Sequence, residues 1–168
     1  EARGARRGGE GRGEGFHAEA RGRGGEIMEI DEITEAIIDE AMGIHKNLGP
    51  GLLESVYEIV LARKLIMRGL DVATQKPISF DYEGIHFEKG FLCDLLVENT
   101  VVVELKSVEI IHPVHQKQLL TYLKLMNLEV GLLINFGGAT LKQGLQRVVN
   151  HHLSSPNSKL KINSKDLQ

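Results

Sequence analysis

The stretch Phe91-Leu-Cys-Asp94-Leu-Leu-Val97-Glu-Asn-Thr-Val101-Val-Val-Glu104-Leu-Lys106 decides the fold. It holds two apolar runs, 91–97 and 101–106, around the polar Glu98-Asn99-Thr100. Short β-branched and aliphatic runs bounded by turn residues predict two central strands joined as a hairpin. Yet Asp94, Glu104 and Lys106 stand inside those runs. A buried charge without a partner costs several kcal/mol, so a fold alone would place none there. Side chains alternate along a strand, which puts Glu104 and Lys106 on one face. Asp94 and Glu104 each lie five positions from Asn99, so they can stand opposite each other. That requires an odd-length loop or a bulge; a two-residue turn would set them on opposite faces.

Two adjacent carboxylates repel unless a proton or a cation intervenes. Hard oxygen donors suit Mg²⁺ or Mn²⁺ rather than Zn²⁺, and such an ion can acidify a water and neutralise a phosphoryl oxygen. Lys106 beside it could orient that water or meet developing charge. The competing reading is an Asp/Glu/Lys ion-pair cluster that staples the hairpin, and spacing alone does not choose between the two.

Outward from the hairpin, helices and strands alternate. Ile33, Ala36, Ile37, Ala41, Ile44 and Leu48 follow helical spacing from Asp31 onward. Gly49-Pro50-Gly51 breaks that helix. A second carries Leu53, Val56, Tyr57, Val60, Leu61 and Leu65 on one side and stops near Gly69. Asp71–Tyr82 reads as a β segment broken by Pro77, Glu83-Gly84 as a turn, and Ile85–Phe87 as further strand. A third helix is expected from Pro113 to Met126, with His112 as its cap and Pro113 at its first position. Val130–Asn135 reads as a short buried strand, and Leu141–Val149 as either strand or helix. The order predicts an α/β fold in which helices flank a mixed sheet.

The termini differ in character. Residues 1–27 carry six Arg and five Glu among many glycines. Such a composition cannot bury enough apolar surface to offset its ordering entropy, so a disordered tail is expected. Other readings are an RGG-like RNA-binding arm or a natural start at Met28. Residues 151–168 read as a polar, frayed C-terminal tail. The 28–150 body carries eleven basic and seventeen acidic residues, a net −6. An acidic body does not attract phosphate over its whole surface, so nucleic acid would need a local patch, a metal, the tails or a partner. Cys93 is the only cysteine, which excludes an intrachain disulfide and fits a cytoplasmic location. No apolar run approaches the ~18–20 residues of a membrane span.

The spacing of Asp94 and Glu104-Leu105-Lys106 resembles the D…(D/E)xK signature of PD-(D/E)XK phosphodiesterases. Gly51-Leu-Leu-Glu54-Ser-Val-Tyr57 is a GxxExxY motif, preceded by His45-Lys-Asn-Leu-Gly-Pro. Gln118-Leu-Leu-Thr-Tyr122 resembles a QxxxY element, and Asn135-Phe136-Gly137 and Gly144…Arg147 also fit the GxxExxY group. Residues 28–150 thus resemble a PD-(D/E)XK nuclease-like domain of the GxxExxY protein family. The resemblance implies a Mg²⁺- or Mn²⁺-dependent nuclease acting on DNA in preference to RNA. Asp94, Glu104 and the Leu105 carbonyl would hold the metal, with Glu54 joining from the second helix. Lys106 would position the attacking water, and Gln118 and Tyr122 would face the site and contact a phosphate or order the metal's water. The alternative is a non-catalytic interaction or metal-binding module that kept the fold, with a homo-oligomer or another protein as partner. Glu54 could equally serve only the helix macrodipole, and Gln118 and Tyr122 only the polar rim of a helix. His112 and His115 read as cap and rim rather than metal ligands, His45 as a residue that either approaches the site or caps and packs, and Cys93 as a core thiol.

Overall fold

The computed structural model describes residues 28–154; the two expected tails fall, but for residues 151–154, outside them. Two helices come first, α1 (Ile30–Leu48) and α2 (Glu54–Met67). Strands β1 (Val72–Tyr82), β2 (Ile85–Val97) and β3 (Val101–Lys106) follow. Then come α3 (Pro113–Met126), β4 (Val130–Asn135), the single turn α4 (Leu141–Gly144) and β5 (Leu145–Val149). The sheet order is β1-β2-β3-β4-β5. Only β3 and β4 are parallel, and α3 supplies the crossover that a parallel pair requires. The expected mixed sheet flanked by helices is present.

Each face of the sheet has its own core. Val101, Val103 and Leu105 of β3 pack with Ile37, Tyr57 and Leu61 of α1 and α2. Val102, one residue out of phase, packs with Leu119 and Leu123 of α3. Alternation therefore assigns Glu104 and Lys106 to the α3 face. Gly131 of β4 lets that helix approach closely, since a Cβ there would lie 2.8 Å from a Leu119 methyl.

Local chemistry sets the boundaries. The Glu32 carboxylate accepts the Glu29 N–H at the start of α1, as one half of a capping box does. Gly69 takes φ +92° just beyond α2, and Asn127 ends α3 in the left-handed region, where its short polar side chain is tolerated.

Four expectations change, and one open reading closes. β1 is one strand through Pro77, which pairs with Leu92; only the register shifts, between Ile78 and Phe80. β1 is an edge strand, where the missing N–H of proline does little harm. The runs 85–87 and 91–97 are a single strand, in which Glu88-Lys89-Gly90 spans the register shift opposite Ser79 and Gly90 leaves room for the Phe80 ring. Leu141–Val149 is a helical turn followed by a strand. Leu53 and Val56 of α2 are exposed, and Tyr57, Leu61, Ala62 and Leu65 form its buried side. His112 stands at the N-cap of α3 without a capping hydrogen bond from its side chain.

Candidate active site

The β2–β3 turn is the odd-length loop that the charges require. Val97 pairs with Val101, leaving Glu98, Asn99 and Thr100 between them. Glu98 and Asn99 both adopt φ 51°, and Thr100 N–H donates to the Val97 carbonyl at 3.0 Å. Pairing continues through Leu96↔Val102 and Leu95↔Val103 and then ends. One more step of that register sets Asp94 against Glu104. There the strands part, and the Leu105 N–H donates to Asp94 Oδ2 at 2.9 Å. A side chain takes a bond that the ladder would otherwise have made.

Glu104 and Lys106 are joined by an ion pair, Nζ to Oε1 at 2.7 Å, with side-chain exposures of 6% and 16%. Burial pushes the Glu104 carboxyl above its ordinary pKa; the Lys106 hydrogen bond pulls it back, and the Asp94 charge adds to the rise. Burial also works against a charged Lys106, but the hydrogen bond and charge of Glu104, helped by Glu54 and Asp94, outweigh it and raise the ammonium pKa. Glu104 Oε2 is buried and, among the described residues, has no hydrogen-bond partner. An orphaned carboxylate oxygen inside an acidic group is the polar defect that a cation or a proton repairs. Hard oxygen donors from Asp94 and Glu104 fit a divalent ion of the Mg²⁺ class. Among the described residues, no group of three or more His, Cys, Asp or Glu side chains is gathered to hold an ion by itself.

The other expected residues surround this centre. Glu54 opens α2, is exposed, and accepts the Ser107 N–H at 3.3 Å. Its charge reaches both Glu104 and Lys106. Ser107 Oγ in turn donates to the Leu52 carbonyl at 2.7 Å, and an open cleft runs along Leu52, Leu53, Glu54, Ser55 and Ser107. On α3, Gln118 Nε2 donates to the Tyr122 hydroxyl at 2.5 Å. The Tyr122 ring stacks on Phe91 with centroids 3.8 Å apart. Burial raises the Tyr122 phenol pKa, Gln118 lowers it, and the charges of Glu104 and Asp94 raise it further. Leu105 contributes its N–H, while its side chain lies in the core. Tyr57 is packed, with its hydroxyl donating to the Gly49 carbonyl and accepting the Leu52 N–H.

His45 Nε2 lies 3.0 Å from the Gly138 carbonyl. The His112 and His115 rings meet edge to face, 6.1 Å apart. Cys93 is a fully buried core thiol.

Two polar residues of the site were not anticipated. Glu58, half-buried on α2, accepts from Gln75 Nε2 at 2.7 Å, and the same nitrogen reaches Asp94 Oδ1 at 3.3 Å. Burial raises the Glu58 carboxyl pKa, Gln75 lowers it, and Asp94 adds to the rise. Glu58 was findable, since it follows Glu54 by four residues and shares its helical side. Gln75 was not, because its place depends on a backbone kink that leaves no trace in composition.

A family model of the PD-(D/E)XK nuclease superfamily matches residues 31–148, from the first turn of α1 to the end of β5. No curated protein and no solved structure gives a significant match. Because the family match spans most of the chain, the chain belongs to the PD-(D/E)XK nuclease superfamily.

Proposed function

We propose that the domain is a Mg²⁺- or Mn²⁺-dependent phosphodiesterase of the GxxExxY type, acting on DNA in preference to RNA. One observation carries this reading: Asp94, Glu104 and Lys106 lie together on two central strands, with one buried carboxylate oxygen left unpartnered. The subfamily assignment draws support from the work its motif residues do. Tyr57 pins the Gly49–Leu52 turn, Asn135 holds both Val108 and Gly137, and Arg147 pairs with Asp31 at 2.7 Å.

Asp94, Glu104 and the Leu105 carbonyl would hold the cation, with Glu54 at the margin. When bound, such an ion neutralises a phosphoryl oxygen and acidifies a water. Lys106 remains protonated, because its pKa is raised, so it acts as a hydrogen-bond donor and not as a base. It orients the attacking water and faces the charge that develops on the phosphate. Gln118 would turn its remaining amide N–H toward the scissile phosphate, and its bond to Tyr122 limits its rotamers. The net charge of −6 in the 28–150 body leaves substrate binding to local contacts rather than to a broad field.

The Lys106–Glu104 ion pair favours a second reading, a binding module that kept the fold without cleavage. Labelled single- and double-stranded DNA and RNA, incubated with Mg²⁺, Mn²⁺ or a chelator, separate the two. Cleavage of DNA by the parent, abolished by chelation and lowered at least about 100-fold in Lys106→Ala, is expected, in line with the loss of one charge-stabilising donor. A parent that cuts none of these substrates with either metal overturns the nuclease reading.

A further inference from the structure

The β1–β2 ladder holds one register on both sides of a single missing pair. Thr74 pairs with Leu95 and Lys76 with Cys93, while Gln75 and Asp94 between them do not pair. Gln75 sits at φ 46°, a backbone region that glutamine rarely adopts. Its carboxamide bonds to Glu58 Oε2 at 2.7 Å and to Asp94 Oδ1 at 3.3 Å. Asp94 Oδ2 is held from the other side by the Leu105 N–H. A chain of contacts thus runs from α2 through β1 and β2 to β3. Beside it lies Glu104 Oε2, buried and unpartnered, on a side chain 6% exposed.

We infer that Gln75 is a positioning residue whose carboxamide, buttressed by Glu58, fixes the rotation of the Asp94 carboxylate against Glu104. This rests on the cation-binding reading of the site. A carboxylate terminal torsion is broad and nearly two-fold. Left alone, Asp94 would turn its free lone pairs away from Glu104, because two carboxylates repel. Two hydrogen bonds, one to each oxygen, prevent that turn. The unused lone pairs of Asp94 and those of Glu104 Oε2 then point to one place before any ion arrives. Outer partners of metal-bound carboxylates act in this way. The strained backbone at Gln75 is where such a constraint is expected to be stored.

Gln75→Gly and Gln75→Asn test the role, since both residues tolerate positive φ. Glycine lacks the amide, and asparagine is one methylene too short to span both carboxylates. Without metal, both variants should melt within a few degrees of the parent. Calorimetric Mn²⁺ affinity should fall about 10- to 100-fold, the usual effect of losing an outer partner. DNA cleavage should fall at low Mn²⁺ and recover at high Mn²⁺, with KM for DNA unchanged. Variants that bind Mn²⁺ as tightly as a metal-binding parent overturn the positioning role and leave the site intact. A parent that binds no Mn²⁺ overturns the cation reading and this inference with it.

Discussion

Asp94 does two things at once: its carboxylate holds the edge of β3 and stands one register step from Glu104. Asp94→Asn should keep an oxygen for the Leu105 N–H while removing a like charge from Glu104. Without metal, its melting point should equal or exceed that of the parent. With Mn²⁺ the parent should gain about 2.7 kcal/mol at a hundredfold excess over its Kd, and the variant much less. If Asp94 only supports an ion pair, the order reverses: the variant is weaker without metal and neither protein responds to it. Cys93 offers a second test. Its thiol is pushed from its ordinary 9.0 up to about 12, by burial first and then by Asp94 and Glu104. A thiol that ionises more readily unfolded than folded costs stability as pH rises. Denaturation midpoints should therefore hold below about pH 9 and decline toward pH 12, and a Cys93→Ala control should flatten the decline. At neutral pH the native thiol should resist aromatic disulfide reagents; prompt labelling would show that the core around it opens.

Helices and loops carry the next predictions. The Tyr57 hydroxyl accepts the Leu52 N–H and donates to the Gly49 carbonyl while its ring stacks on Phe136, centroids 4.2 Å apart. Tyr57→Phe keeps the ring and strands both backbone groups, so denaturant titration should show a loss of about 1–3 kcal/mol. A loss under about 0.5 kcal/mol would mean that water replaces the hydroxyl. Gly137 follows β4, where an added Cβ would stand 2.3 Å from the Val108 carbonyl oxygen. Gly137→Ala must shift backbone rather than a flexible side chain, and about 1–3 kcal/mol of destabilisation is expected. An unchanged midpoint would show that the loop after β3 yields freely. The helices and the β2–β3 hairpin were legible because their periods are strong and their punctuation is clear: Gly49-Pro50-Gly51, Pro113 and the polar triplet at Asn99. Asp94, Glu104 and Lys106 were legible because charge inside an apolar strand conflicts with burial. The long β2 was not, since the polar Glu88-Lys89-Gly90 interrupts the apolar runs and is carried across only by the pairing on either side of it. Leu53 and Val56 misled because an apolar residue carries no mark of which helix face the core will take.

For the whole molecule, residues 1–27 hold almost no apolar surface, so little stability can come from burying them. A chain from Met28 to Ser154 should melt within about two degrees of the full chain, as expected for polar termini; a drop of several degrees would show that an end packs on the domain. Among the described residues no helix is long and apolar enough to cross a membrane. The fork where β2 leaves β3 has a mechanical side. Beyond Leu95 the strand pairs only with β1, and near its tip Phe80 and Phe87 stack on each other, 4.9 Å apart. Neither ring belongs to the core on either face of the sheet. The outer hairpin is a cantilever, and it is clamped at its root by Gln75 and Asp94. A push on the tip at Glu83 and Gly84 would load that root, where the Asp94 carboxylate is held.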